Sequence, residues 1–388
     1  MPRSIYFDYN ATTPLDPAVR DAMLPFLGDV WGNPSSVHHV GRKARALLDD
    51  ARDRAAKFLG AKPSEIIFTS GGTEANNLAI FGTARLLKAK GKHLITSAVE
   101  HHAVLQCFDY LEKFEGFSVT RLPVDAAGRV TVDDLKKAIR ADTVLVSVMA
   151  ANNEIGTIQP VAAIGAVCRE RGIFFHSDAV QWFGKEPFET VAQFNADLVS
   201  VCAHKFHGPK GAGLLFIKSP LLPEPILFGG DHENERRAGT ENLPAIIGLV
   251  AALEKFVVPP VFNCFKLKLL CAKLIAAIEK IDDCELVNPE KKSLVNTVSF
   301  VVPGADGIAL LAGLDLEGIC ASSGSACLAG SVEPSHVIKA IGKEEEENSL
   351  VRFSLGRDST ENEVDFVCSI LPEVIRRAKR GGLPANRM

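Results

Sequence analysis

Ile66-Ile67-Phe68-Thr69-Ser70-Gly71-Gly72-Thr73-Glu74 passes from a β-rich run, through a glycine pair, into a helical pattern. The run Ile66–Thr69 is apolar on successive positions rather than alternating, which predicts a strand buried on both faces. The helical pattern extends from about Glu74 to Lys90, with Lys88 and Lys90 in its last turn and Gly91 as its stop. Glycines ahead of a helix let the backbone approach a ligand, and the free N–H groups at the helix start suit a phosphate. The same residues equally describe an ordinary turn and N-cap. They match neither the Walker pattern nor G-x-G-x-x-G, which argues against a nucleoside triphosphatase or a dinucleotide enzyme.

Outward from this stretch the two kinds of pattern alternate from about residue 44 to 217. Upstream, Ala44, Leu47, Leu48, Ala51, Ala55 and Leu59 recur at helical spacing. Downstream, strands are predicted at Leu94–Ser97, Val119–Leu122, Val144–Met149, Ile173–His176, Leu198–Val201 and Gly213–Ile217. Helices are predicted between several of them, at Ala103–Glu115, Val132–Ile139 and Ala163–Arg171. Continuous apolar strands alternating with helices specify an α/β fold with a mainly parallel sheet covered on both faces. After Gly230 the pattern changes. Helices at Pro244–Phe256 and Phe262–Ile281 flank Pro259-Pro260, followed by a strand (Asn296–Val302), a helix (Asp306–Leu314), a Gly/Ser/Cys loop, a helix near Pro334–Ile341 and a strand (Leu350–Ser354). Thr360-x-x-Glu363 is a capping box opening the last helix. The expected division is a large domain over 14–256 and a smaller α+β domain made of 1–13 and 257–388. Glu344–Glu347 reads as a solvated turn.

The 388 residues are 47% apolar and 23% charged, ordinary for a globular chain, and the net charge is −4. That balance gives no electrostatic footprint for nucleic acid or an anionic membrane. No apolar run is long enough to span a bilayer, and the first residues lack the apolar stretch of a signal peptide. The nine cysteines contain no C-x-x-C pair, so no zinc or thioredoxin-like signature is present and no metal is expected. Scattered free cysteines fit a reducing, cytoplasmic setting.

Four further segments can carry chemistry. Asp178 follows the buried run Ile173–Phe175, at a strand's C-terminal end where open α/β sheets bind ligands. It reads either as a capping residue or as a carboxylate awaiting a cationic partner. Lys205 lies in Cys202-Ala203-His204-Lys205-Phe206-His207-Gly208-Pro209-Lys210-Gly211, after the run Leu198–Val201. It is a solvated lysine or an amine poised for imine formation, and the strand-end setting favours the second. Cys327 stands inside Ser322-Ser323-Gly324-Ser325-Ala326-Cys327-Leu328-Ala329-Gly330-Ser331, whose small polar neighbours favour an exposed nucleophile over a buried structural thiol. His101 and His102, beside Glu100 after the strand at 94–97, suit acid–base work or simple hydrogen bonding.

Together these segments resemble the cysteine desulfurases, a pyridoxal 5'-phosphate family of the class-V aminotransferase fold. The similarity runs through nearly the whole chain: Tyr6-Phe7-Asp8-Tyr9-Asn10-Ala11-Thr12-Thr13-Pro14, Gly32-Asn33-Pro34-Ser35-Ser36, Ala151-Asn152-Asn153-Glu154-Ile155-Gly156, His204 to Gly211, Arg237-Ala238-Gly239-Thr240, Ser322 to Cys327 and Arg352-Phe353-Ser354-Leu355-Gly356-Arg357. The resemblance implies the fold-type-I architecture of these enzymes, with a seven-stranded sheet. It implies a homodimer that converts L-cysteine to L-alanine and passes the sulfur, as a persulfide, to an acceptor such as an iron–sulfur scaffold. Selenocysteine lyase or another class-V pyridoxal-phosphate enzyme is the alternative within the fold.

It also implies residue roles. Lys205 would hold the cofactor covalently, Asp178 would pair with the pyridine nitrogen, His101 would stack on the ring and move protons, and Gln181 would meet the phenolic oxygen. Gly72, Thr73, Cys202 and His204 would hold the phosphate, with Thr240 from a second subunit. Asn153 and Arg352 would grip the substrate carboxylate, and Cys327, on a loop of about 320–334, would take the sulfur. Two departures stand out. Cys202 occupies a place where the family usually has a hydroxyl, and a thiol is the weaker donor. Leu328-Ala329-Gly330 replaces the usual small hydroxyl residues after the nucleophile.

Overall fold

A computed structural model describes residues 4–282, 284–287, 292–323, 334–346 and 348–379. The chain opens with a two-residue strand, β1 (Ile5–Tyr6), and then builds one large sheet. Its strands are β2 (Ile66–Thr69), β3 (His93–Ser97), β4 (Ser118–Leu122), β5 (Thr143–Ser147), β6 (Phe174–Asp178), β7 (Leu198–Cys202) and β8 (Gly213–Ile217). The sheet is seven-stranded, ordered β2-β8-β7-β6-β5-β3-β4. Strands β7, β6, β5, β3 and β4 run parallel, and β8 is antiparallel to both its neighbours. The continuous apolar runs have the reason expected of them: β2, β3, β5, β7 and β8 are buried along their whole length.

Helices cover both faces. In His39–Leu59 the buried positions Ala44, Leu48, Ala51, Ala55 and Leu59 form one stripe, and Gly60 ends the helix in a left-handed turn at φ 67°. The helix Leu243–Phe256 is apolar almost all round because it lies inside the main hydrophobic cluster. Predicted ends shift by a few residues. The helix expected from Phe262 begins at Phe265, because Phe262 is fully buried and its N–H donates to the Gly184 carbonyl at 2.9 Å. The short helix Pro17–Met23, capped by Asp16, was not expected.

A second hydrophobic cluster gathers Phe7, Phe262, Leu274, Phe300, Phe353 and Leu371 from both ends of the sequence. It holds a three-stranded antiparallel sheet of β9 (Glu285–Val287), β10 (Thr297–Val301) and β12 (Leu350–Ser354), with β10 in the middle. Strand β11 (Ile319–Cys320) pairs in parallel with β1. The capping box at the last helix forms as expected, with Thr360 N–H donating to Glu363 at 2.7 Å and Glu363 N–H to Thr360 Oγ1 at 3.3 Å.

Asp16 joins the two clusters. Its buried carboxylate accepts from Ala18 N–H at 2.9 Å, Lys255 Nζ at 2.9 Å and Arg357 Nη1 at 2.6 Å. Burial alone would raise its pKa, but the hydrogen bonds from Lys255 and Arg357 hold it well below the usual carboxylate range. A depressed carboxylate contributes stability that is complete above its unfolded pKa and is lost as the pH falls toward the folded value. Asp16→Asn keeps the cap but not the charge, and is expected to cost about 2 kcal/mol at pH 7. In urea unfolding the gap from wild type should stay constant from pH 7 down to about 4 and close below that.

Candidate active site

The C-terminal ends of the parallel strands meet at one edge of the sheet, where the segments that follow them surround a cavity of about 370 Å³. Strand β6 ends on Asp178, and Gln181 lies in the turn after it. Strand β7 ends on Cys202 and passes directly into the turn Ala203–Lys205. Beyond β3 come Glu100 and His101, and beyond β5 come Met149 and Asn153. The helix Gly72–Leu87 aims its first turn into the cavity, and Arg352 enters from β12.

Asp178 is buried and doubly held, accepting from Asn76 Nδ2 at 2.6 Å and from Val180 N–H at 3.0 Å. Lys205 Nζ donates to the Asn10 and Ala11 carbonyls at 2.7 and 2.9 Å. Gln181 Nε2 donates to the same Asn10 carbonyl at 2.8 Å. Arg352 is almost wholly buried, with Nη1 donating to the Asn153 carbonyl at 2.7 Å and Nη2 to Asp8 Oδ1 at 2.6 Å.

Both histidines that line the cavity are disfavoured as cations. Burial, more than the nearby Lys205, lowers the pKa of His101, and its Nδ1 accepts from Ala103 N–H at 3.0 Å, which puts the proton on Nε2. His204 is pushed down to about 3 by burial and by Lys205, Lys185 and Lys210. Burial pushes the Glu100 carboxyl, which accepts from Met149 N–H at 2.9 Å, up to about 8. The other ionisable side chains with an ordinary charge among the described lining residues are Asp178, Lys205 and Arg352.

The matching family model is Aminotransferase class-V, over residues 5–367. The chain belongs to the class-V aminotransferase family. Among relatives it is 47% identical to the cysteine desulfurase IscS of Dictyoglomus turgidum, with 98% of this chain and 96% of that protein covered. It is 44% identical to the putative cysteine desulfurase IscS 1 of Bacillus subtilis, with 96% and 99% covered. Among solved structures, a NifS-like protein aligns at a TM-score of 0.89 with 36% identity, covering 96% of this chain and 99% of that one. SspA in complex with cysteine aligns at 0.81 with 36% identity, covering 92% and 100%.

Enzymes of this family that act as cysteine desulfurases depend on pyridoxal 5'-phosphate, and the cavity suits that group. Asn76 and Gln181, both lining it, each have a buried carbonyl oxygen with no hydrogen-bond partner among the described residues. Such orphaned acceptors are costly unless a ligand answers them. The helix start is bare in the way a phosphate requires. A Cβ on Gly72 would fall 2.8 Å from Val180 Cγ2 and 3.6 Å from Cys202 Cβ, so a side chain there would close the approach.

The residues singled out from the sequence converge here with two exceptions. Gly72, Thr73, His101, Asn153, Asp178, Gln181, Cys202, His204, Lys205 and Arg352 line the one cavity. Thr240 does not. It borders a separate pocket with Thr69, Ser70, Gly211 and Arg237. Cys327 lies outside the described residues. Asn10 and Asn76 are the additions that sequence reading missed. Asn76 stands one helical turn beyond Gly72-Thr73, a spacing that could have pointed to it. Asn10 carries no local signal, because its partners are far away in the chain.

Asn76→Leu keeps the side-chain volume but takes from Asp178 its shorter hydrogen bond. A bond to a buried charge is worth about 1.5–3 kcal/mol. Cofactor affinity should fall at least about tenfold, measured by equilibrium dialysis of pyridoxal 5'-phosphate with the visible spectrum followed in parallel.

Proposed function

We propose that the chain is a pyridoxal-phosphate-dependent cysteine desulfurase, converting L-cysteine to L-alanine and carrying the sulfur away as a persulfide on Cys327. The observation that supports it most is the convergence of the Lys205 amine, the Asp178 carboxylate and the bare helix start at Gly72-Thr73 on one cavity. The bound cofactor supplies an electron sink for the pair left when the substrate's α-proton is removed.

Each remaining task falls to a side chain. Gly72 and Thr73 would present N–H groups and a hydroxyl to the phosphate, with Cys202 and His204 at its flank. Asp178, fixed by Asn76, would keep the pyridine nitrogen protonated. Gln181 would meet the phenolic oxygen, and His101 would lie against the ring with its Nε2 proton available. Lys205 would take the proton from the substrate's α-carbon and return protons as the product forms. Arg352 and Asn153 would hold the substrate carboxylate, which fixes the rest of the amino acid. The Cys327 thiolate would then attack the substrate sulfur. A sulfur–sulfur bond forms, the carbon–sulfur bond breaks, and its electron pair stays on the carbon fragment, which is protonated and leaves as alanine.

The position of Thr240 outside its own cavity supports a homodimer in which it reaches the partner's phosphate. The segment 24–37 adds to that, since it exposes Leu24, Leu27, Trp31 and Val37, the last at 88%. Two separate hydrophobic clusters support the division into 14–256, which would hold the cofactor, and 1–13 with 257–388, which would carry Cys327. Among the described residues no helix is long and apolar enough to cross a membrane. We place the enzyme in the cytoplasm and give it a protein sulfur acceptor, such as an iron–sulfur scaffold.

Incubation of the cofactor-loaded protein with L-cysteine and a reductant should release alanine and sulfide in equal amounts. Alanine without sulfide, or neither, would defeat the proposal. Lys205→Ala should lose the visible absorption band of the covalently held cofactor and at least about 10³-fold in rate. Cys327→Ser should keep that band, still bind L-cysteine, and give no protein persulfide by mass spectrometry and less than about 1% of wild-type alanine.

A further inference from the structure

Arg352 has the substrate carboxylate in the reading above, yet its guanidinium is already engaged. Its Nη2 donates to Asp8 Oδ1 at 2.6 Å, with the Arg352 side chain 1% exposed and the Asp8 side chain 17% exposed. Asp8 is itself built into the fold. Its backbone pairs in a parallel bridge with Ser354, two residues beyond Arg352 on β12, and its carbonyl accepts from the Tyr6 hydroxyl at 3.1 Å. The contact joins the first strand region of the chain to nearly its last, so it is set by tertiary structure.

Charges this deeply placed are screened little by salt. Asp8 therefore cancels much of the field that Arg352 projects into the cavity. A carboxylate arriving at Arg352 forms a triad of two anions on one cation, not a simple pair. The two anions repel, and each must be desolvated, so the gain per carboxylate is smaller than at a lone guanidinium. The only other cationic side chain among the described lining residues is Lys205, and the carboxyl group there is that of Asp178. A ligand bringing a second carboxylate meets no second guanidinium, only Lys205, whose Nζ already donates to the Asn10 and Ala11 carbonyls.

We propose that Asp8 is a positioning and specificity-determining residue that attenuates Arg352, so that the site takes one carboxylate reversibly and rejects dicarboxylates. The inference rests on the assignment of Arg352 to the substrate carboxylate. Asp8 acts through Arg352 and does not touch the reacting atoms.

Asp8→Asn preserves the shape and an oxygen facing Arg352 but removes the charge. Two measurements test it, with propionate and succinate as probes. In cofactor-free protein, thermal melting at increasing probe concentration gives the dissociation constants. In the loaded enzyme, KM and kcat for L-cysteine are measured separately. Asp8→Asn should bind propionate at least threefold tighter than wild type, gain more for succinate than for propionate, and lower KM without raising kcat. Asp8→Glu, which keeps the charge, should bind propionate no tighter than wild type. Unchanged or weaker propionate binding in Asp8→Asn overturns the proposal, and so does tighter binding in Asp8→Glu should the asparagine variant not fold. Arg352→Ala separates the two levels. If it binds propionate as wild type does, the assignment of Arg352 itself fails.

Discussion

The backbone from Asp8 to Thr13 is the piece on which both halves of the cavity depend. Its Asn10 and Ala11 carbonyls accept from Lys205, and Thr13 both donates its N–H to the His204 carbonyl at 3.0 Å and caps it with Oγ1 at 2.8 Å. On the other side Tyr9 N–H donates to the Ser354 carbonyl, Asn10 N–H to Ser354 Oγ, and Asn10 Nδ2 to Thr297 Oγ1. One short segment, turned at 9–11 by Ala11 N–H donating to the Asp8 carbonyl, thus fixes the lysine of the large sheet and the arginine-bearing strand of the small one in a common frame. Displacing it would cost several hydrogen bonds at once, each buried or half-buried, and would separate the amine from the guanidinium. In the proposed reading, the fixed distance between Lys205 and Arg352 that a reacting amino acid would need is a property of this joint.

Around that frame the protein removes charge wherever it is not used. His176 sits in the middle of the sheet with Nδ1 against Ser147 Oγ at 2.8 Å and Nε2 against Ser200 Oγ at 3.0 Å, and burial pushes its pKa down to about 3. It is a neutral stitch across β5, β6 and β7, directly beneath Asp178. Glu100 is neutral for the same reason, and His101 and His204 do not protonate near pH 7. A cavity with neutral walls leaves Asp178, Lys205 and the Asp8–Arg352 pair as the features that orient a ligand. Dipoles and charges fixed in advance cost no reorganisation when the reaction begins.

The α/β architecture and the places of most strands along the chain were legible because burial on both faces writes itself as continuous apolar runs, as in Val144–Val146 and Leu214–Ile217. Element ends were less so. Phe262 looked helical by spacing, yet a tertiary bond to Gly184 holds it outside the helix. At the site, residues with a local signature were found: a glycine pair before a helix, a carboxylate and a lysine at strand ends. Asn10 and Asn76 were not, since an asparagine is marked as functional only by what it faces. Asp8 lies within a family motif, but only the fold gives it a partner, placing Arg352, 344 positions away, 2.6 Å from it. Of the histidines, spacing alone could not distinguish His176, whose partners are two serines, from His101, whose ring borders the cavity.

The helix Gly72–Leu87, whose start is proposed to hold the phosphate, carries an acid in its own first turn. Glu74 is acidic in that turn, where it competes for the positive helix end. It is drawn aside instead: it accepts from Ser70 N–H at 2.8 Å and from Arg237 Nε at 2.7 Å, and these bonds hold its carboxyl low against the opposing effect of burial. The clasp neutralises a charge that would repel phosphate and anchors the 237–240 segment beside the cradle. Thr240, three residues on, then stands at the surface next to Ser70 and Arg237. A subunit placing Thr240 on its neighbour's phosphate would therefore be positioned by an ion pair that also tunes its own. In the proposed reading Cys202, at the flank of the same helix start, would give the phosphate a weaker donor than a hydroxyl, and its Sγ already faces the Ala212 carbonyl at 3.7 Å. The electrostatic relief at Glu74 and the donor strength at position 202 would then act on one anion, and the first would matter more as the second weakens.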